Sequence, residues 1–193
     1  MTVTVNLSTK STLSFRIAQE EDRQLLLDLR RECGWGAPKI QQFLGYPDRP
    51  FCIFLLERES GEVEEVGMGG WCLDMDDDQE TASRQRGIVY ISSLFIRKAY
   101  QAGGLGTKAI DLLEKAAVEV YGAKVITLDT TAYFTYVDEE GWLVEDFNRR
   151  GRAVAWYEKR GYREYRDPEP TFPHASRTDP DRKLQAVFMR KSV

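Results

Sequence analysis

The chain has 193 residues, 42% of them hydrophobic and 30% charged, which suits one compact domain able to bury about 70% of its unfolded surface without a disulfide or metal staple. The longest apolar run free of charge and glycine, Phe51 to Leu56, falls far short of the roughly 20 residues that span a bilayer, and a formal net charge of −4 argues against a surface that wraps nucleic acid. That modest sum hides an asymmetry, because residues 1–146 carry 15 Lys and Arg against 25 Asp and Glu whereas residues 147–193 carry 12 against 6.

Leu13 to Ile17 alternates apolar and polar residues and predicts a half-buried strand. Glu20, Glu21 and Asp22 then sit at the favourable end of a helix whose Leu25, Leu26, Leu29 and Cys33 recur at helical spacing until Gly34. Pro38 opens a second short helix through Leu44. Phe51 to Glu57 and Val66 to Leu73 predict antiparallel strands joined at Ser60-Gly61, and residues 74–86 an acidic loop. Gly87 to Ile96 is rich in β-branched and aromatic residues, as expected of a central strand buried on both faces.

The clearest helix has Leu105, Ala109, Leu112, Leu113, Ala116, Ala117 and Val120 on one face and Gly122 at its end. Val125 to Leu128 continues as a strand, and the strand–helix–strand order predicts a right-handed crossover between parallel strands. Residues 132–151 form a long polar loop holding Tyr133, Phe134, Tyr136, Trp142 and Phe147. A short helix over Gly151–Arg160, a strand over Tyr162–Tyr165, a loop from Pro168 to Lys183 and an edge strand over Leu184–Arg190 complete one α/β domain.

Cys33, Cys52 and Cys72 lack CxxC spacing and read as reduced, buried intracellular thiols. Met1 to Ser14 shows no secretory signal, so a cytoplasmic location is expected. The single histidine, His174, excludes a His-based metal cluster and argues against Ser-His-Asp chemistry.

The stretch from Leu94 to Thr107 carries the most chemistry. A buried strand ends, glycines 103, 104 and 106 make a turn, and a helix begins, so backbone N–H groups and the positive end of a helix dipole converge on one point. Such a point suits a pyrophosphate, because glycine leaves the amides open to close approach. The spacing matches neither an ATPase P-loop nor a dinucleotide fingerprint. On spacing alone, a glycine-rich turn that binds nothing stands level with an anion site.

Gln101-x-x-Gly104-x-Gly106 resembles the acyl-CoA signature of the GNAT superfamily of N-acetyltransferases. Independently, the run from Ala153 through Tyr157 and Glu158 to Gly161-Tyr162 is similar to that family's A-x-x-x-Y-E-x-x-G-F/Y segment. The resemblance implies a GNAT fold over residues 1–193: α/β, with a mixed, mostly antiparallel sheet, a central splay between the strands around 90–96 and 125–130, helices on both faces and an insertion at about 132–151. It implies acetyl-CoA as cosubstrate, with backbone groups of Phe95 and Ile96 on the pantetheine arm. The amides of Gln101, Ala102, Gly103, Gly104, Leu105, Gly106 and Thr107 would hold the pyrophosphate. Tyr157 matches the residue that commonly acts as general acid, although buried aromatic packing beside Trp156 is the better account of it when the motif is set aside.

Two positions depart from the pattern. Arg150 stands where an asparagine is frequent, with Asn148 close by, and Tyr90 stands where some members carry a glutamate base. The base is therefore unassigned, with Asp74, Asp76, Glu80 or a water held by Ser92 and Ser93 as alternatives. The expected reaction moves acetyl from acetyl-CoA to a primary amine of a small cationic molecule, without a metal and without nucleic acid or membrane partners; association as a homodimer is left open. The acidic runs Asp74–Glu80 and Asp138–Asp146 would attract that cation if they border its pocket, and otherwise are solvated loops. A protein or peptide N-acetyltransferase and a non-catalytic CoA-binding module are the alternatives.

Overall fold

A computed structural model describes residues 3–7, 11–34, 37–140, 142–173 and 181–193, so His174 and the surrounding part of the expected 168–183 loop lie outside the described residues. The chain forms two compact units, one running to Ile126 and including Val193, the other Thr127–Ser192.

In the first unit, β1 (Val3–Leu7), β2 (Ser11–Ile17), β3 (Phe51–Arg58), β4 (Val63–Cys72) and β5 (Ile88–Ile96) pair in order, each antiparallel to the next. A 3-10 turn at Glu20–Asp22 leads into α1 (Arg23–Cys33), followed by α2 (Ala37–Phe43) and, after β5, α3 (Leu105–Glu119). The turn is tied down by Arg16, whose guanidinium grips the Asp22 carboxylate at 2.5 and 2.7 Å and holds that carboxyl below its ordinary range.

Successive residues of β3 point to opposite faces. Phe51 and Ile53 join Leu26, Leu29, Ile40, Leu44, Met68 and Phe95 in a cluster under α1 and α2. Phe54 points the other way, toward Gly69, where an added Cβ would come within 2.9 Å of Leu113 on α3. Helices thus cover both faces of this sheet, which explains why its central strands read as nearly continuous apolar runs. Trp71 is buried between Phe15 and Tyr121, and its indole N–H donates to the Leu113 carbonyl at 3.1 Å.

The pairing of β4 with β5 slips at one point. Met68 faces Phe95 and Gly70 faces Ser92, so Ser93 and Leu94 stand opposite Gly69 alone. This is a β-bulge, and Ser93 carries its cost with φ of 59°, in the left-handed region that disfavours non-glycine residues.

In the second unit β10 (Lys183–Ser192) lies between β6 (Val125–Thr131) and β9 (Arg163–Pro173). A separate hairpin joins β7 (Tyr133–Val137) to β8 (Leu143–Arg150), and α4 (Arg152–Lys159) follows it.

Five expectations are corrected. β1 is a strand the sequence reading passes over. Residues 132–151 form a hairpin in place of a loop, because Asp138 caps its tip by accepting the Glu140 and Trp142 N–H groups at 3.0 and 2.8 Å. β9 runs on to Pro173; Pro168 and Pro170 are tolerated because its pairing with β10 is irregular there and β10 is its one neighbour in the unit. β10 is flanked on both sides, not an edge, in keeping with the burial of Leu184 and of Ala186 through Met189. Of the three thiols, Cys52 and Cys72 are buried while Cys33 is only half-buried; burial pushes the Cys52 thiol upward in pKa and keeps it protonated. Among the described residues no helix is long and apolar enough to cross a membrane.

Gly67 sets how closely β4 and β5 approach, since a Cβ there would collide with the Phe95 carbonyl oxygen and lie 2.9 Å from the Ile96 side chain. Gly67→Val is expected to cost about 1–3 kcal/mol as overpacking, read as a lower urea midpoint; an unchanged midpoint would contradict this packing.

Candidate active site

The glycine turn is held from below by side chains of α1 and β4. The Arg97 N–H donates to the Val66 carbonyl at 2.8 Å, while its guanidinium reaches Glu32 at 3.1 Å and the Glu65 carbonyl at 3.0 Å. The second oxygen of Glu32 accepts the Lys98 N–H at 2.8 Å, so one carboxylate fixes both residues that open the turn. The Tyr100 hydroxyl donates to Glu64 at 2.7 Å. Hydrogen bonds from Arg58 and then Tyr100 hold the Glu64 carboxyl below its ordinary range.

Gln101 closes the loop on itself, its side-chain amide donating to the Ile96 carbonyl at 2.8 Å. That carbonyl is one of the groups expected for the pantetheine arm. It has two lone pairs, so this bond leaves one.

After a 3-10 turn at Lys98–Gly103, Gly104 stands at the N-cap of α3 with φ of 74°, and no side chain caps the helix. The left-handed backbone explains glycine at 104. It explains neither Gly103 nor Gly106, where φ is not positive. An added Cβ at 103, 104 or 106 would meet nothing within 4 Å. Internal packing therefore does not require these glycines, and glycine inside a helix costs roughly 0.5–1 kcal/mol relative to alanine. What they leave is an open cradle at the positive end of a 15-residue helix. The cradle fits a pyrophosphate.

The candidate cosubstrate residues of this unit do fall together. Phe95 and Ile96 end β5 with buried side chains, leaving backbone as what they can offer. Leu105 is buried as well and anchors the first turn of α3, while Gln101 and Thr107 are exposed; of Ala102 only the backbone is described.

Tyr157 lies in the second unit, on α4. It is 8% exposed, packed edge-on against Trp156 and Tyr162 with ring centroids 4.7 and 5.6 Å away. The start of α4 is fixed by Gly151, whose N–H donates to the Ala132 carbonyl at 2.9 Å and where a Cβ would run into the Thr131 carbonyl oxygen. Arg150 pairs with Glu158 at 2.7 Å and with Glu164. Its charge is thus held within the unit, a structural use that differs from the asparagine of the family pattern.

The acidic runs are more engaged than their counts suggest. Asp78 caps the Thr81 N–H and hydroxyl at 3.1 and 2.6 Å, and Asp74 accepts from Gln79 and from the Arg84 N–H. Glu145 is buried, bound to Arg182 at 3.2 Å and to the Gln185 N–H at 2.9 Å. A cleft of about 320 Å³ in this unit is lined by residues that include Tyr133, Phe147, Asn148, Arg150, Val154 and Glu164.

Sequence reasoning missed Arg30. It lies four residues after Leu26 on the inward stripe of α1 and is 7% exposed, and its Nε is buried without a hydrogen-bond partner. The signal was present, since a charged residue interrupts an apolar row at helical spacing.

The fold is similar to that of Arabidopsis thaliana NAA60 in complex with a bisubstrate analogue, at 15% identity over 94% of this chain and 99% of that one, with a TM-score of 0.64. It is similar to spermidine N-acetyltransferase from Vibrio cholerae, at 12% identity over 93% of each chain and a TM-score of 0.62. Aminoglycoside acetyltransferase AAC(6')-Ib with coenzyme A gives 20% identity, 93% and 94% coverage and a TM-score of 0.59. A comparison with curated protein sequences finds no match. The model of the acetyltransferase (GNAT) family matches residues 16–137, from β2 through the glycine turn to the end of β7. With the signature, the open cradle and the mixed, mostly antiparallel α/β fold in agreement over more than half of its length, the chain belongs to the GNAT family of acetyl-CoA-dependent N-acetyltransferases.

Proposed function

We propose that this enzyme transfers acetyl from acetyl-CoA to the primary amine of a small molecule by direct attack, with Tyr157 as general acid. The observation that carries the cosubstrate reading is the cradle of Gly103, Gly104 and Gly106, open to 4 Å at an uncapped helix start. The amides of Gln101 through Thr107 hold the pyrophosphate, and the backbone of Phe95 and Ile96 orients the pantetheine arm. Acetyl-CoA supplies an activated thioester. The neutral amine forms a C–N bond at the thioester carbonyl, the C–S bond breaks as Tyr157 gives its phenolic proton to the departing thiolate, and the proton lost by nitrogen restores the phenol; the buried position of Tyr157 strengthens its hydrogen bond by excluding water.

A small amine acceptor is supported by the folds of the spermidine and aminoglycoside enzymes. A cationic one is supported less than the acidic runs suggest, because Asp74, Asp78, Asp138 and Glu145 are engaged in their own loops and strands.

Tyr157→Phe is expected to lower kcat by one or more decades, within the range of ~10²–10⁴ for general acid–base catalysis; unchanged kcat at saturating substrates would remove Tyr157 from the mechanism. Gly104→Glu should abolish acetyl-CoA binding, because it sets bulk and negative charge where phosphate must lie. Undiminished affinity by calorimetry would refute the cradle. Thiol release from acetyl-CoA over a panel of amines separates an enzyme from a non-catalytic CoA-binding module.

A further inference from the structure

We infer that Arg30 is an acceptor-binding residue: its buried guanidinium takes a carboxylate carried by the amine substrate, so the acceptor is an amino acid. This rests on the acetyltransferase reading above and names the substrate class of that site.

The arginines of α1 make the contrast. Arg23 is half-buried and Arg31 exposed, and each holds a carboxylate on its own helix or turn, Glu20 at 2.5 Å and Asp28 at 2.6 Å. Arg30 is buried beside Leu26 and Leu29, its Nε lacks a hydrogen-bond partner, and among the described residues no ion pair holds it. Physical chemistry demands the reverse, since an exposed charge is solvated by water while a buried one is costly unless paired. Arginine also cannot escape by giving up its proton. The groups near it include Cys33 and Tyr90, a thiol and a phenol, neither of them a carboxylate. Burial lowers the Arg30 pKa from its ordinary value, as expected of a cation lacking its partner. Among the described residues no carboxylate pairs with it, which leaves the anion to a ligand.

The position says which molecule brings it. Tyr90 lies on β5 six residues before Ile96, where the glycine turn begins. At ~3.3 Å per residue that is about 20 Å along the strand. An extended pantetheine arm laid along β5 from the cradle carries its thioester toward the bulged stretch Tyr90–Ser93, and the attacking amine must reach the same place. Arg30 therefore addresses the acceptor and not the phosphates. Its planar fork suits a carboxylate, which accepts two parallel N–H bonds. An amino acid carries both groups within a few bonds of each other.

The test is thiol release from acetyl-CoA with matched triplets: a free amino acid, its amide and its decarboxylated amine, across several side chains. The wild-type enzyme is expected to favour the free acid over the amide by tenfold or more in kcat/KM. Arg30→Met should bring that ratio close to one, and Arg30→Lys should restore part of it, with acetyl-CoA affinity by calorimetry the same in all three proteins. Equal efficiency on acid and amide in the wild type, or an equal loss on both in Arg30→Met, overturns the inference while leaving the enzyme reading intact. Turnover of no amine at all removes both.

Stability gives a second readout. Without substrate, Arg30→Met should raise or preserve Tm, because methionine suits the apolar stripe; a fall of several degrees would mark Arg30 as structural and overturn the proposal. If the variant does not fold, the wild type still decides: with coenzyme A present, the preferred amino acid should raise Tm and its amide should not, and equal shifts overturn the inference.

Discussion

A turn proposed to bind phosphate through its backbone must keep its amides uncapped and its surface bare, yet hold its shape. Much of the first unit serves that requirement. Glu32 on α1 grips Arg97 and Lys98, Glu64 on β4 takes Tyr100, and Gln101 folds back onto Ile96. These contacts lie at the entrance of the turn and leave the glycines free. The side chains stabilise the loop from beneath, so the rigidity needed for preorganisation does not come at the expense of access.

What was legible in the sequence follows from how local the cause was. The apolar stripe of α3, the stop at Gly34 and the turn at Ser60-Gly61 depend on neighbours in sequence, and the fold has them where periodicity puts them. β1 had a readable signal in the alternation of Val3, Val5 and Leu7, obscured by the threonines around it. The hairpin was less accessible. Tyr133–Val137 and Leu143–Arg150 are rich in charge, and their pairing is secured by Asp138 bonding across the tip and by Glu145 reaching Arg182 and Gln185, forty residues on. No window of local sequence contains that second contact. Of the proposed site, the glycine cradle was visible because its chemistry is in the backbone, whereas Arg30 left only a weak trace, a charge interrupting the apolar row of α1, which reads as a solvated residue until its burial is known.

The charge arithmetic changes in the same way. Divided at residue 146 the chain shows an acidic part and a basic part, but residues 127–192, the second unit, carry 12 basic and 12 acidic residues. The apparent polarity belonged to the choice of dividing point. Within that unit the charges meet one another, as in Arg150 with Glu158 and Glu164 and Arg182 with Glu145. Counting charges along a sequence says how many are present, and only the fold says how many are available to a partner.

The bond from the Gly151 N–H to the Ala132 carbonyl joins the two ends of the hairpin at 2.9 Å. Everything between those residues enters and leaves the unit through one closed gate. The outer part of the hairpin can therefore change without altering where α4 starts, while its base stays tied to α4 through Arg150 and Glu158 and to β10 through Glu145 and Gln185. In such an arrangement the start of α4 and the outer part of the hairpin are separate modules, free to diverge at different rates.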